Sequence, residues 1–414
     1  MTSIRIKPGL LGGRVEPPAS KSDAHRALFA AALAGQPSMI DGLTDPLSDD
    51  IIATRRCLED LLNGSDILDC GESGTTLRLL IPVSGAVSPK KRSKTLTFTG
   101  HGRLVNRPLK EYQAILQPHG LTLQYPQDRS LPMQLSGRLQ PGVYQVPGHI
   151  SSQYISGLLM ALPLLEEPSD ICLTSALESA PYVAMTCRTL KHFGIDIELR
   201  PDGYHIPAPQ QYQSNRYFVE RDYSQAAFWL TAAYGGCDLE VTGLPAETAQ
   251  GDQAILDYLS ALRGQQPTYT FDLSQTPDLV PILAVAAMIT PAVTRLTHIG
   301  RLRLKESDRI EAVRATLSAI GGDVESDEDM LVIYGGSTSR KHSVLNGGTV
   351  DSWGDHRIAM ALAIAALFTR DGIVLNHAEA VQKSYPDFFQ VFKQLGGDLF
   401  ELTMGAKHQN QLIW

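Results

Sequence analysis

Six stretches of this chain share one pattern: a cluster of small or charged polar residues, then a run rich in Ala, Leu and Ile. They are SKSDAHRALFAAALAG from Ser20, GESGTTLRLLIPVSG from Gly71, SSQYISGLLMALPLL from Ser151, RDYSQAAFWLTAAYGG from Arg221, TPDLVPILAVAAMIT from Thr276 and DSWGDHRIAMALAIAALFT from Asp351. Each predicts a polar helix start leading into a largely buried helix. A second, amphipathic helix type alternates with these and stops at glycine, the residue that tolerates a left-handed cap. The six stops are Gly64, Gly120, Gly194, Gly264, Gly321 and Gly396, and β-rich runs such as TLTFTG, LTLQY, DICLT, DIELR and MLVIY lie between the helices. Gly64 and Gly264, Gly120 and Gly321, Gly194 and Gly396, and Gly35 and Gly235 are each about 200 residues apart. A fixed period implies structural repetition. The spacing therefore predicts two similar halves of three units each, and three units closing around a local axis place apolar helices at the centre of each half. The boundary falls near Arg216 to Asp222, and the strand Ile4 to Ile6 could join either half.

Composition narrows what such a molecule does. The 414 residues are 43% hydrophobic and 19% charged, an ordinary globular balance. A formal net charge of -8 disfavours bulk attraction to nucleic acid or anionic lipid. Cys57, Cys70, Cys172, Cys187 and Cys237 are too scattered for a disulfide scaffold, and no pair has C-x-x-C spacing. Reduced thiols fit a cytoplasmic setting. The opening MTSIRIKPGLLGGRVEPP lacks the apolar core of a signal peptide. The longest uncharged apolar stretch, Leu279 to Thr294, contains two prolines and is shorter than the roughly 20 residues that span a bilayer.

The chemistry is signalled by charge at helix starts. First turns favour Asp and Glu, because the helix N-terminus is positive. Here Lys21 and Arg26 open the first buried helix and Arg78 lies in the second. Arg107 and the Lys305–Arg309 pair flank amphipathic helices, Arg357 follows His356, and Lys383 precedes SYPDFF. Recurrent cations at such ends, with Ser20, Ser22, Ser73, Gly74, Thr75, Ser151 and Ser152, point to a shared anion site. Neither G-x-x-x-x-G-K-[ST] nor a G-x-G-x-x-G after a strand occurs, and GGSTSRK from Gly335 lacks the spacing. Acid–base candidates are Asp278, Glu306, Asp308, Asp355 and His356. Against these stand plainer readings: Asp278 as a helix cap, Glu306 in a surface ion pair and His356 as a capping histidine. No nucleophilic Ser or Cys with its base is evident, and H-E-x-x-H is absent.

These motifs, in order along almost the whole chain, resemble the 3-phosphoshikimate 1-carboxyvinyltransferase (EPSP synthase) family of enolpyruvyl transferases. PPASKSDAHRAL is similar to the family's phosphate-binding segment and GESGTTLR to its G-N-A/S-G-T-x-x-R loop. NRPL, SSQY, SAPY, PD, LKESDR, DHRIAMA and KSYPDF follow. The resemblance implies an α/β fold: a two-domain inside-out α/β barrel, each domain three βαβαββ units with buried central helices. The expected domains are 19–220 and 1–18 plus 221–414, with the active site in the cleft between them. Lys21, Ser22, Arg26, Ser151, Ser152, Gln153, Ser179, Tyr182, Asp278 and Lys305 are implied to hold shikimate 3-phosphate. Lys21, Gly74, Arg107, Gln153, Glu306, Arg309, His356, Arg357 and Lys383 are implied to surround phosphoenolpyruvate. Asp278, Glu306, Lys21, Lys383 and His356 are the implied catalytic set. The expected partners are these two small substrates, with no nucleic acid, membrane, metal or organic cofactor, in a monomeric cytoplasmic enzyme.

Three positions depart from the family pattern. Glu72 and His25 stand where Asn is usual, and Arg301 occupies another Asn position. A carboxylate at position 72 would repel an anionic ligand unless paired, with Arg78 as the expected partner. The related transferase acting on UDP-N-acetylglucosamine uses a loop cysteine before an R-P element, and no cysteine occurs from Thr99 to Pro108. Nucleic-acid end processing on a similar architecture needs a broad basic patch, which the acidic balance disfavours. A non-catalytic anion binder would not need Asp278, Glu306 and Lys383 together.

Overall fold

A computed structural model describes residues 2–87, 95–338 and 345–402. The tail 403–414, assigned above to the second domain, lies outside the described residues. Among the described residues the six apolar runs form helices at Lys21–Leu33, Gly74–Ala86, Ser152–Ala161, Tyr223–Tyr234, Val280–Ile289 and His356–Ala366. Short polar side chains start most of them. Ser73 accepts from the Thr76 amide at 3.2 Å, Asp222 from Ser224 at 2.7 Å and Asp355 from Arg357 at 2.9 Å. Such caps satisfy amides that a helix start leaves without partners. Every residue of His356–Ala366 is buried, as a helix surrounded by its neighbours requires.

Each of four units adds a four-stranded sheet built the same way. Ile67–Asp69 pairs in parallel with Thr95–Thr99 across the helix Gly74–Ala86, and Met133–Gly137 and Leu121–Gln124 complete the sheet antiparallel. Thr268–Asp272, Val293–Thr297, Met330–Tyr334 and Asp323–Ser326 repeat that order in the second half. The N-terminal strand Ser3–Ile6 inserts between Ile373–Asn376 and Leu399–Leu402, so the chain's start closes its last sheet. The first and fourth units differ. Among the described residues Met39–Asp41 pairs only with Arg216–Phe218, and Gly12–Val15 only with Asp238–Val241. There the chain crosses between halves, which removes strands from both units. The two crossings run side by side: the Ser20 amide donates to the Glu220 carbonyl at 2.7 Å and the Asp222 amide to Pro18 at 2.9 Å.

Apolar burial follows the same division. One core cluster runs from Ala24 to Val219, and the other joins Ile4 to Val15 with Tyr223 to Leu399. In the second half the three central helices pack on one another. In the first half Gly74–Ala86 and Ser152–Ala161 form the tightest pair, and Lys21–Leu33 packs on Ala180–His192 and Asp49–Leu62. The reason is polar: Asp23, His25 and Arg26 are buried on that helix and need partners. Tyr217 donates to Asp23 at 2.6 Å, and Arg26 donates to Thr186 at 2.7 Å.

Candidate active site

A single cavity is lined by side chains from both cores, and it gathers sixteen of the seventeen expected site residues. Helix starts supply most of them. Lys21, Ser22 and Arg26 come from the first buried helix, Gly74 from the second, and Ser151, Ser152 and Gln153 from the third. Ser179 and Tyr182 flank the start of Ala180–His192. Arg107 follows a short turn of the first half. The second half contributes Asp278, Lys305, Glu306, Arg309, His356 and Arg357. Lys383 is the exception. It lines a neighbouring cavity that shares Asp50 with the first.

Asp278 caps no helix. It sits in a 3-10 turn, Pro277–Leu279, and its carboxylate takes cations. Arg309 Nη1 donates to Oδ1 at 2.8 Å, Arg357 Nη2 to Oδ2 at 3.0 Å, and Lys305 Nζ lies 3.8 Å away. Burial alone would raise this carboxyl, but Arg357, Lys305 and Arg309 outweigh it and hold it well below the usual range. Glu306 is no surface pair with Lys305. Arg309 Nη2 donates to it at 2.7 Å and Arg107 Nη1 lies 3.9 Å away. Burial pushes its carboxyl up, and Arg309, Lys383 and Arg107 pull it well below normal. Arg309, 1% exposed, also donates to Asp355 Oδ2 at 2.8 Å, so one guanidinium ties three carboxylates together.

The bases are tuned by the same enclosure. Burial lowers Lys305 to about 8, opposed by Asp278. Burial also lowers His356 well below its usual value, with Lys21 and Arg357 adding to the effect. The helix cap is Asp355, not His356, and both His356 ring nitrogens are buried without a hydrogen-bond partner. Arg107 is pushed down to about 10 by burial and by Arg78, and its Nε is likewise without a hydrogen bond. A Cβ on Gly74 would overlap the Arg107 guanidinium, so any larger residue there must displace that side chain.

Several lining residues were not among the seventeen. Asp50 pairs with Lys21 Nζ at 2.7 Å. Acids in a helix's first turn are commonplace, so Asp49-Asp50 carried no functional signal. Arg78 donates to Gln153 Oε1 at 2.8 Å, and Gln153 donates to Thr75 Oγ1 at 2.8 Å. Glu72 therefore does not pair with Arg78. Its partner is Lys383, whose Nζ is 3.5 Å from Oε2 and donates to the Glu72 carbonyl at 3.1 Å. Arg301 Nη2 donates to Ser179 Oγ at 2.9 Å and its Nε lies 3.1 Å from Glu178. His25, buried, meets Thr54 Oγ1 at 2.7 Å, and burial lowers it to about 3, so it is neutral.

The cavity thus carries eight Lys and Arg side chains against four carboxylates, Asp50, Glu111, Asp278 and Glu306. An excess of fixed cations in an enclosed space suits small ligands bearing several negative charges. Among the described residues no group of His, Cys, Asp and Glu is arranged to hold a metal ion.

Comparison with known proteins places this arrangement. A family model described as EPSP synthase (3-phosphoshikimate 1-carboxyvinyltransferase) matches residues 49–392. A 3-phosphoshikimate 1-carboxyvinyltransferase of Clostridium acetobutylicum is 39% identical, over 98% of this chain and 100% of its own length. That of Clostridioides difficile is 38% identical over the same shares. An EPSP synthase structure from Acinetobacter baumannii superposes with a TM-score of 0.77 at 22% identity, covering 97% of this chain and all of its own. The enolpyruvyl transferase NikO from Streptomyces tendae gives 0.71 at 17% identity, covering 98% of this chain and 99% of its own, which shows a shared fold. The chain belongs to the EPSP synthase (3-phosphoshikimate 1-carboxyvinyltransferase) family.

Proposed function

We propose that this protein transfers the enolpyruvyl group of phosphoenolpyruvate to the 5-hydroxyl of shikimate 3-phosphate, releasing phosphate, on the route to chorismate and the aromatic amino acids. The observation that carries this reading is the cavity's eight cations around two partly buried carboxylates, Asp278 and Glu306, that stay ionised. The two substrates bring two phosphates and two carboxylates. Ser22, Arg26, Ser151, Ser152, Ser179, Tyr182 and Lys305 serve the shikimate phosphate side. Gly74, Arg107, Gln153, Arg309, Arg357 and Lys383 serve phosphoenolpyruvate.

The reaction runs by addition and elimination. The 5-hydroxyl oxygen attacks C2 of phosphoenolpyruvate as its proton leaves, and C3 gains a proton, giving a tetrahedral intermediate. A proton then leaves the new methyl group, the C2–oxygen bond to phosphate breaks, and the enolpyruvyl ether and phosphate remain. Asp278 and Lys21 serve the hydroxyl; Glu306 with Lys383 serves the methylene. Asp278 is a weak base beside three cations, so it orients the hydroxyl rather than retaining its proton, and the one proton lost from the hydroxyl balances the one gained at C3. Neutral His356, with both nitrogens free of protein partners, offers a hydrogen bond to the departing phosphate. Arg107, Arg309 and Arg357 stabilise charge as it develops.

The separate cores and the paired crossings at 18–20 and 220–222 support two domains, 19–220 and 1–18 plus 221–414, that close on the substrates and exclude water. All five cysteines are free, and among the described residues no helix is long and apolar enough to cross a membrane. Both fit a cytoplasmic enzyme, and we take it to act as a monomer without a cofactor. The test is a phosphate-release assay. Release that requires both substrates supports the reading; none, or release with UDP-N-acetylglucosamine instead, overturns it.

A further inference from the structure

Lys383 ends the turn Ala378–Lys383 and is 9% exposed. Among the described residues its ammonium meets one neighbour at short range, Glu72, through the backbone carbonyl at 3.1 Å and the carboxylate at 3.5 Å. Glu72 stands one residue before Ser73, the cap of the helix that Gly74 opens. The ammonium therefore faces the neighbouring cavity, with Asp49, Arg56, His101, His377 and Glu379 on its walls, rather than the one that holds Gly74 and Arg107. Its charge nevertheless helps to hold the Glu306 carboxyl below its usual range, together with Arg309 and Arg107. One buried cation thus acts on two carboxylates, by direct contact on Glu72 of the first half and by its charge on Glu306 of the second.

We infer that Glu72 is a positioning residue: its carboxylate draws the Lys383 ammonium toward the neighbouring cavity and so limits the positive charge offered to the phosphoenolpyruvate side of the site. The inference rests on the proposed function for its substrate, but the ion pair itself does not. The carbonyl contact persists whatever side chain occupies position 72, so a neutral isostere removes only the electrostatic hold. Glu72 is about a third exposed, which moderates the effect without abolishing it.

Two measurements on Glu72→Gln test this. In the steady state, the KM for phosphoenolpyruvate falls on the order of three- to ten-fold, the scale of one partly buried ion pair, while that for shikimate 3-phosphate stays unchanged. Independently of turnover, reductive methylation read by mass spectrometry labels Lys383 several-fold faster in the variant than in the parent protein. An unchanged or raised KM for phosphoenolpyruvate, or equal shifts for both substrates, overturns the inference. So does an unchanged labelling rate. If the parent protein releases no phosphate but labelling still accelerates, the hold on Lys383 stands and the proposed function fails.

Discussion

Asp278 shows how much a single carboxylate does here. Arg309, Arg357 and Lys305 all converge on it, so Asp278→Ala strands buried guanidiniums and confounds chemistry with stability. Asp278→Asn keeps the shape and removes the charge. Turnover is expected to fall about 10²- to 10⁴-fold, the usual scale for a proton-handling group, with near-parental circular dichroism; unchanged turnover refutes the role. Lys305 adds a pH signature. Burial sets it near 8 rather than 10.5, so the unliganded protein loses this positive charge as pH rises through about 8. The KM for shikimate 3-phosphate should climb above that pH, and Lys305→Arg, which stays charged, should move the rise to higher pH. Gly74→Ala pushes the Arg107 guanidinium aside; we expect the KM for phosphoenolpyruvate to rise about ten-fold or more with little change in melting temperature. Most of these residues were legible as types in motifs. Asp50 and Glu111 were not, because a carboxylate in a first turn looks the same whether it faces water or Lys21.

The helices were the most legible elements, because an apolar run with a polar start leaves few alternatives. Five of the six expected stops have glycine at positive φ, between 79° and 99°. At Gly264 the left-handed position moves one residue on, to Gln265 at φ 55°, an exception that composition alone could not signal. Close packing of the central helices was beyond the pattern. A Cβ on Gly157 would come within 2.6 Å of Tyr112 Oη and 2.8 Å of the Arg78 carbonyl. Gly157→Ala should therefore destabilise the protein by about 1–3 kcal/mol from overpacking, less the helix propensity gained, about 1 kcal/mol at most. Denaturant unfolding checks this; a midpoint at or above that of the parent protein refutes the close packing.

Across the whole molecule, charged contacts tie the two halves at the cavity's edges: Glu178 with Arg301, Glu72 with Lys383, and Arg107 with Glu306. Two of these use residues that depart from the family pattern. If the halves move as domains, Arg301→Asn should enlarge the substrate-free radius of gyration measured by X-ray scattering, and added salt should narrow the difference by screening. No change on substitution would mean that the Arg301 contact does not set the separation of the halves. The twofold, three-unit plan was visible in glycine spacing, but the two-stranded sheets of the first and fourth units were not. They arise because the chain changes halves there, and strand partners hundreds of residues apart leave no local trace.

By itself, the sequence determined the elements, their repetition and the kinds of side chain at helix starts, because periodicity, capping and charge are local properties. Only the tertiary structure decided which charges meet. It gave Asp278 three cations, turned Lys383 toward Glu72, left His356 neutral and set the N-terminal strand into the last sheet. Burial and distances of a few ångströms govern those outcomes, and both depend on chain segments far apart in sequence.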